Sequence, residues 1–131
     1  MSDNVPSGLK YTKDHEWAKI TGNDVVVGIT RFAVDQLGDI TLVNLDVKAG
    51  DAIESGKAFG TIESVKTLSD LFAPLSGNVA KLNAELETKP ELVNEDCYGK
   101  GWMVVITAEG AKLDDLMDER AYAEFLKTAA H

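Results

Sequence analysis

Short runs of β-branched and aromatic residues, separated by turns that contain glycine, constrain the fold of this chain most strongly. Residues 25–29 read Val-Val-Val-Gly-Ile directly after a Gly-Asn-Asp turn, and residues 40–45 read Ile-Thr-Leu-Val-Asn-Leu. Such runs are typical of strands, because branched and aromatic side chains pack well on a pleated surface. Further strands are predicted at residues 9–12, 15–20, 78–86 and 102–106. The pattern predicts a mostly β protein, a sandwich or a barrel with helical additions.

A short helix is predicted early in the chain, between the strands at 25–29 and 40–45. Thr30 can cap its N-terminus, because a threonine oxygen accepts a hydrogen bond from a free backbone N–H of the first turn. Gly38 suits the left-handed position that follows the last turn. Phe32, Ala33 and Leu37 are its predicted buried stripe.

Two later regions also carry helix signals. At residues 88–93, Thr88 is a possible cap and Pro90 falls early in the first turn. From residue 112 the spacing of apolar residues changes to that of a helix. A C-terminal helical tail is therefore predicted over about residues 112–128. Its first helix carries Leu113, Leu116 and Met117, and its second carries Ala121, Tyr122, Phe125, Leu126 and Ala129.

Length and composition predict one folded unit with a loose start. Residues 1–8 are polar and contain Pro6 and Gly8, which predicts a flexible N-terminal arm. Residues 9–131 predict a single domain, since a chain of 131 residues can bury a core of its own. Trp17 and Ile20 are predicted members of that core. Cys97 is the only cysteine, so it has no disulfide partner in the chain and is predicted to be inert.

The acidic balance of the chain excludes some functions. A formal net charge of −9 disfavours binding to nucleic acid, which requires basic surface to neutralise phosphates. It equally disfavours adhesion to an anionic membrane, and no stretch reaches the roughly 20 apolar residues of a membrane span. The first ten residues lack both a hydrophobic signal core and an arginine-rich leader, so a cytoplasmic, bacterial protein is expected rather than a mature mitochondrial one.

No group of residues predicts catalysis or metal binding. The chain lacks a Gly-x-Ser-x-Gly elbow, and its two histidines, His15 and His131, are too few for a typical histidine-rich zinc site. His15 and Glu16 could form an acid–base pair, but neighbours on a strand point to opposite faces. A turn histidine beside a surface carboxylate is the favoured interpretation.

Residues 56–77 predict a hairpin with Lys66 near its tip. Two possible strands meet around Val65 and Lys66, and glycine bounds the segment at both ends. A lysine on a turn is ordinarily only a solvated charge. Glu63 and Asp70 flank Lys66 at −3 and +4, either as a recognition frame or as ordinary charges at strand ends. Spacing alone leaves these two interpretations open.

The sequence of the hairpin, and of much of the rest of the chain, resembles the sequences of one protein family. The matching residues include Tyr11, His15-Glu16-Trp17, Val27-Gly28-Ile29-Thr30, Leu37-Gly38-Asp39, Glu63-Ser64-Val65-Lys66, Ser69-Asp70, Ala73-Pro74, Ser76-Gly77, Pro90, Leu92-Val93-Asn94, Tyr98 and Gly101-Trp102. In this order and spacing, they resemble the glycine cleavage system H protein family. Leu45-Asp46 departs from that family, which commonly has Leu-Pro there.

The resemblance implies a lipoyl-domain-like β sandwich (a barrel-sandwich hybrid) and a non-catalytic carrier. Lys66 would be joined by an amide to lipoic acid, and Glu63, Ser64 and Val65 would be recognised with it. The implied partners are lipoate-attaching enzymes, glycine decarboxylase (P protein), aminomethyltransferase (T protein) and dihydrolipoyl dehydrogenase (L protein). The family also shelters its loaded arm in a cleft. Glu16 and Asp70 are the expected residues that hold the protonated aminomethyl end there.

Other functions compete with this one. A biotin carrier resembles Met-Lys-Met at the attachment site, whereas Lys66 here lies between Val65 and Thr67. A lipoyl domain of an acyltransferase is usually shorter, is attached to a larger enzyme and lacks the helical tail. A lipoate relay that donates lipoyl groups to other enzymes, and an unmodified acidic interaction module, remain as alternatives.

Overall fold

A computed structural model describes residues 8–108 and 116–129, the last two of them by backbone alone. The predicted N-terminal arm therefore lies almost wholly outside the described residues, as do residues 112–115 of the predicted tail. The division into an arm and one domain stays a prediction.

Nine strands form two antiparallel sheets in the described part of the chain. In chain order the strands are β1 (Lys10–Tyr11), β2 (Glu16–Thr21), β3 (Asp24–Ile29), β4 (Ile40–Leu45), β5 (Ala52–Ile53), β6 (Ala58–Ser64), β7 (Leu68–Phe72), β8 (Gly77–Leu82) and β9 (Val104–Thr107). The larger sheet has the order β1-β2-β3-β9-β8-β5, and the smaller has β4-β6-β7. Both sheets are open, so the predicted mostly β sandwich is confirmed and the barrel alternative is not.

The two sheets contribute to one apolar core. Val25 and Val27 of β3 meet Val43 of β4 and Ile62 of β6 there, and none of the four side chains is more than 1% exposed. β2 departs from the prediction at its far end. Trp17 is buried, but Ile20 is 47% exposed because only the first half of β2 is covered.

Helix α1 (Arg31–Leu37) is the predicted early helix. Thr30 Oγ1 accepts a hydrogen bond from Ala33 N–H, and Gly38 follows with φ 80°, so both predicted end residues are confirmed. Its predicted buried stripe is partly wrong. Val34 and Leu37 are the buried residues, whereas Phe32 and Ala33 are only half-buried.

The strand predicted to reach residue 86 ends at Leu82. Asn83 follows it, and its side-chain amide donates to the carbonyl oxygens of Lys100 and Trp102 at 2.9 and 2.7 Å. Two short helices follow, α2 (Glu85–Thr88) and α3 (Glu91–Glu95). The prediction that Thr88 caps the second of these is wrong, because Thr88 is the last residue of α2 and Pro90 precedes α3.

Helix α4 (Glu119–Ala129) is the predicted second tail helix, and Asp118 Oδ1 caps it by accepting from Ala121 N–H. Its buried Tyr122 stacks on Tyr11 with ring centroids 4.6 Å apart. The predicted first tail helix is wrong at its described end. Met117 is extended and pairs with Tyr11 through backbone hydrogen bonds of 2.7 and 2.8 Å.

Candidate functional site

The hairpin tip is built by Ser64, which ends β6. Its backbone N–H donates to the Thr67 carbonyl at 2.8 Å. Its Oγ accepts from the backbone N–H groups of Lys66 and Thr67 at 3.1 and 3.2 Å. One hydroxyl thus closes the turn, as short polar side chains commonly do. Val65 and Lys66 are left exposed at the tip, with Val65 67% exposed.

The tip is also fastened to a neighbouring segment. Val65 N–H donates to the carbonyl oxygen of Asp39 at 3.1 Å, in the corner that joins α1 to β4. The stem of Lys66 lies across this corner, because a methyl group built on Gly38 would be 3.4 Å from Lys66 Cε and 3.8 Å from Nζ. The amine of Lys66 is therefore exposed, while the turn that carries it is held in place by the hydrogen bond to Asp39.

Glu63 and Asp70 lie on strands that pair with each other, and the Ile62–Ser69 pair separates their rows. Glu63 is opposite Leu68, and Asp70 is opposite Thr61. Neither forms an ion pair with Lys66, since the ion pairs found among residues 8–108 and 116–129 are Arg31–Asp35 and Lys127–Glu124. The recognition frame therefore stays a prediction.

A cleft of about 340 Å³ lies beside the corner. One wall is α1, the second is the turn before β2, and the third is β7 with Ile62 behind it. The lining residues are Lys13, Asp14, His15, Glu16, Ile29, Ala33, Gln36, Leu37, Ile62, Ser69, Asp70, Leu71 and Phe72. Glu16 and Asp70, the two residues expected to form an arm cleft, therefore line the same cleft.

Glu16 is buried, so the interpretation as a surface carboxylate is wrong. Only 2% of the residue is exposed, and Oε2 accepts a hydrogen bond of 2.6 Å from Phe72 N–H. Oε1 is buried without any hydrogen-bond partner in the described structure. Burial raises the pKa of this carboxyl to about 8, against the opposing effect of the Phe72 hydrogen bond, while Asp14 raises it further. A donor or a cation in the cleft would satisfy Oε1.

His15 holds the turn that leads into Glu16. Its backbone has φ 66°, and its Nδ1 lies 2.8 Å from Tyr122 Oη. That hydroxyl is 2.7 Å from Thr30 Oγ1, so α4 is linked to the cap of α1. Burial lowers the pKa of His15, and Asp14 opposes the shift. The favoured prediction of a turn histidine is confirmed.

Sequence reasoning missed several wall residues and the contribution of α4. Gln36 and Phe72 line the cleft without any local signal, and Ala33 and Ser69 were singled out for other reasons than a cleft. Tyr122 was predicted only as part of a packing stripe, and its hydroxyl contacts lie 92 and 107 residues away along the chain.

The family model described as Glycine cleavage H-protein matches residues 9–129. The chain belongs to this family. It is 50% identical over 127 residues to the glycine cleavage system H protein of Magnetococcus marinus, covering 96% of this chain and 90% of that protein. It is 49% identical over 125 residues to the H protein of Symbiobacterium thermophilum, covering 95% of this chain and 97% of that protein.

A solved structure agrees with the fold. The crystal structure of a glycine cleavage system H protein from Mycobacterium marinum matches with a TM-score of 0.83 and 32% identity, covering 96% of this chain and 99% of that one. Membership confirms the predicted family and makes this chain a carrier component of the glycine cleavage system.

Two further properties concern the described residues. No helix among residues 8–108 and 116–129 has the length and apolarity to cross a membrane. Nor does this part of the chain bring together three or more His, Cys, Asp or Glu side chains that could hold a metal ion.

Proposed function

We propose that this chain carries lipoic acid in amide linkage on Lys66 and delivers an aminomethyl group from glycine decarboxylase to aminomethyltransferase. The supporting observation is the position of Lys66. Its amine is exposed on a turn closed by Ser64, and its stem lies over Gly38, next to the cleft wall. Attached at Lys66, lipoic acid would supply a dithiolane on a flexible arm that could take the aminomethyl group, and the dithiol left after delivery would be the substrate for reoxidation by dihydrolipoyl dehydrogenase.

The cleft fits an arm with an apolar stem and a cationic end. Leu37, Ile62 and Leu71 give it apolar walls, which suit a hydrocarbon chain. Glu16 offers a buried carboxyl with an unpartnered Oε1, and Asp70 adds an exposed carboxylate. A buried carboxylate is stabilised by a paired cation, so Glu16 and Asp70 would hold an ammonium group and shield it from water.

This part of the proposal has its own test. In the double variant Glu16→Gln with Asp70→Asn, the aminomethyl group on lipoylated protein should be lost faster than from the wild type, as followed by intact mass. An unchanged rate of loss would count against a role for these carboxyls.

The attachment reaction requires an enzyme that accommodates the hairpin tip. Val65 is the most exposed of the large apolar residues in the described chain, and Glu63 lies on the strand just before the turn. We therefore assign recognition by lipoate-attaching enzymes to Glu63, Ser64 and Val65. Ser64 acts by shaping the turn, and the other two act by direct contact.

The chain itself is a non-catalytic subunit in this proposal. A shared arm raises the local concentration of its cargo at each partner, so the carrier requires docking surfaces rather than an active site. The relatives named above are bacterial proteins, which favours a bacterial cytoplasmic location.

Intact-mass measurement tests the attachment. The purified chain is incubated with lipoate, ATP and a lipoate ligase, and the Lys66→Arg variant serves as the matched control. We expect a gain of one lipoyl group in the wild type and none in the variant. Because amide formation removes the lysine charge, the formal net charge should also change from −9 to −10, since −9 − 1 = −10. A wild type that gains no mass would refute the proposal.

A further inference from the structure

The corner that joins α1 to β4 is bridged by a single side chain. Asn94 Nδ2 donates to the carbonyl oxygen of Gly38 at 2.9 Å, and Asn94 Oδ1 accepts from Ile40 N–H at 2.8 Å. One amide thus holds the residues on either side of Asp39. Asn94 itself belongs to α3, where the neighbouring Val93 is fully buried and fixes the helix to the core.

The backbone of Asn94 is held as well. Its carbonyl oxygen accepts a hydrogen bond of 2.9 Å from Arg31 Nη2, at the start of α1. Asn94 is therefore bound near both ends of α1. Its side chain contacts the residues that follow the helix, and its backbone carbonyl is bound by Arg31 at the beginning of the helix. A clamp held in this way can resist rotation of the corner relative to α1.

The corner in turn positions the hairpin tip. The Asp39 carbonyl, between the two clamped residues, accepts the hydrogen bond from Val65 N–H. Gly38 has φ 80° and ψ −149°, a combination open almost only to glycine, and the Lys66 stem passes over it. The next residue back, Leu37, lines the cleft.

We propose that Asn94 is a positioning residue for the arm: by clamping residues 38–40 it fixes the direction in which the Lys66 side chain leaves the hairpin, along α1 and toward the cleft. This inference rests on the proposed attachment of lipoic acid to Lys66. Without the clamp, Val65 N–H loses a fixed acceptor and the tip can pivot on β6 and β7. A wider range of directions lowers the effective concentration of the arm at the cleft.

Asn83 provides a matched control. It is also an asparagine whose side chain bridges two backbone groups, the carbonyls of Lys100 and Trp102, but neither of these residues belongs to the corner or the hairpin. Asn83→Ala and Asn94→Ala remove comparable hydrogen bonds. A purely structural role for Asn94 would make the two variants behave alike at the hairpin.

The first readout is hydrogen exchange of the Val65 amide in unmodified protein. We expect exchange about tenfold faster in Asn94→Ala than in Asn83→Ala under conditions that favour folding, corresponding to the loss of about one hydrogen bond. Equal exchange at Val65 in the two variants would overturn the clamp. If Asn94→Ala does not fold, Asn94→Asp, which keeps the acceptor for Ile40 and loses the donor to Gly38, replaces it.

The second readout is the survival of the cargo. Lipoylated, aminomethyl-loaded samples of both variants are followed by intact mass, and loss should be several times faster in Asn94→Ala. Faster exchange at Val65 with unchanged cargo loss would overturn the steering role. The same mass spectra show whether the wild type is lipoylated. If it is not, both the proposed function and the steering role are refuted. Exchange at Val65 would still report on the clamp by itself.

Discussion

Glu16→Gln tests the electrostatics of the cleft by removing a buried, titratable carboxyl and keeping an acceptor for Phe72 N–H. In the folded protein the pKa of Glu16 is raised by burial to about 8, from an ordinary 4.5. The folded state therefore binds this proton more tightly than the unfolded state does. Stability from this group is fully present below pH 4.5 and is lost as the pH rises toward 8.

The size of the effect follows from these two values. Each pH unit between them costs the wild type about 1.4 kcal/mol of unfolding free energy. Between pH 5 and pH 8 the loss amounts to about 4 kcal/mol. Glutamine does not titrate, so Glu16→Gln lacks this loss. His15 also titrates differently on folding, but it is present in both proteins and cancels in their difference.

Urea unfolding of the unlipoylated proteins, followed by tryptophan fluorescence at a series of pH values from 5 to 8.5, measures the difference. The free energy of unfolding of the variant, relative to that of the wild type, should increase steadily as the pH rises. This difference should level off above pH 8. A constant offset, from the new amide in the cleft, leaves the slope unchanged. A difference that is independent of pH would refute the assignment of Glu16 as a buried, proton-holding carboxyl.

Three further outcomes are expected. Cys97 is buried and its pKa is raised by burial to about 11, so a thiol reagent at pH 8 should modify none of the folded protein and one thiol per chain in denaturant; modification of the folded protein would contradict this. Tyr122→Phe should lose about 1–3 kcal/mol in urea unfolding, because Thr30 Oγ1 and His15 Nδ1 lose a buried partner; a loss below about 0.5 kcal/mol would refute the linkage. Lys66→Arg should change stability by less than about 0.5 kcal/mol in the same assay, since Lys66 is exposed; a larger loss would mean that the variant is not a clean control.

Local sequence signals predicted the features that depend on interactions between residues close together in the sequence. The glycine-bounded hairpin and the caps at Thr30 and Gly38 depend on residues within a few positions of each other, and these predictions are confirmed. The β-branched run at residues 25–29 likewise predicted strand β3. The resemblance supplied the importance of Lys66, which no local pattern distinguishes from the other lysines.

The cleft could not be predicted in the same way. Glu16 is buried, its Oε2 accepts from the backbone N–H of Phe72, 56 residues later, and it lines a cleft together with residues of α1. Asn83 and Asn94 hold backbone groups 17 to 56 residues away, whereas an asparagine in sequence indicates only a turn or a cap. Such contacts exist only after the chain has folded, so the spacing of residues along the sequence does not predict them.

Glycine decarboxylase-catalysed exchange of CO₂ with the carboxyl carbon of glycine is the decisive test of the proposal that the chain is a carrier with its arm on Lys66. Wild-type chain and the Lys66→Arg variant are treated identically with lipoate and its ligase, and each is added to glycine decarboxylase with labelled bicarbonate. We expect exchange that depends on the wild-type chain and is absent with the variant. Equal exchange with Lys66→Arg would refute Lys66 as the attachment point, and no exchange with a fully lipoylated wild type would contradict the carrier role in favour of a lipoate relay.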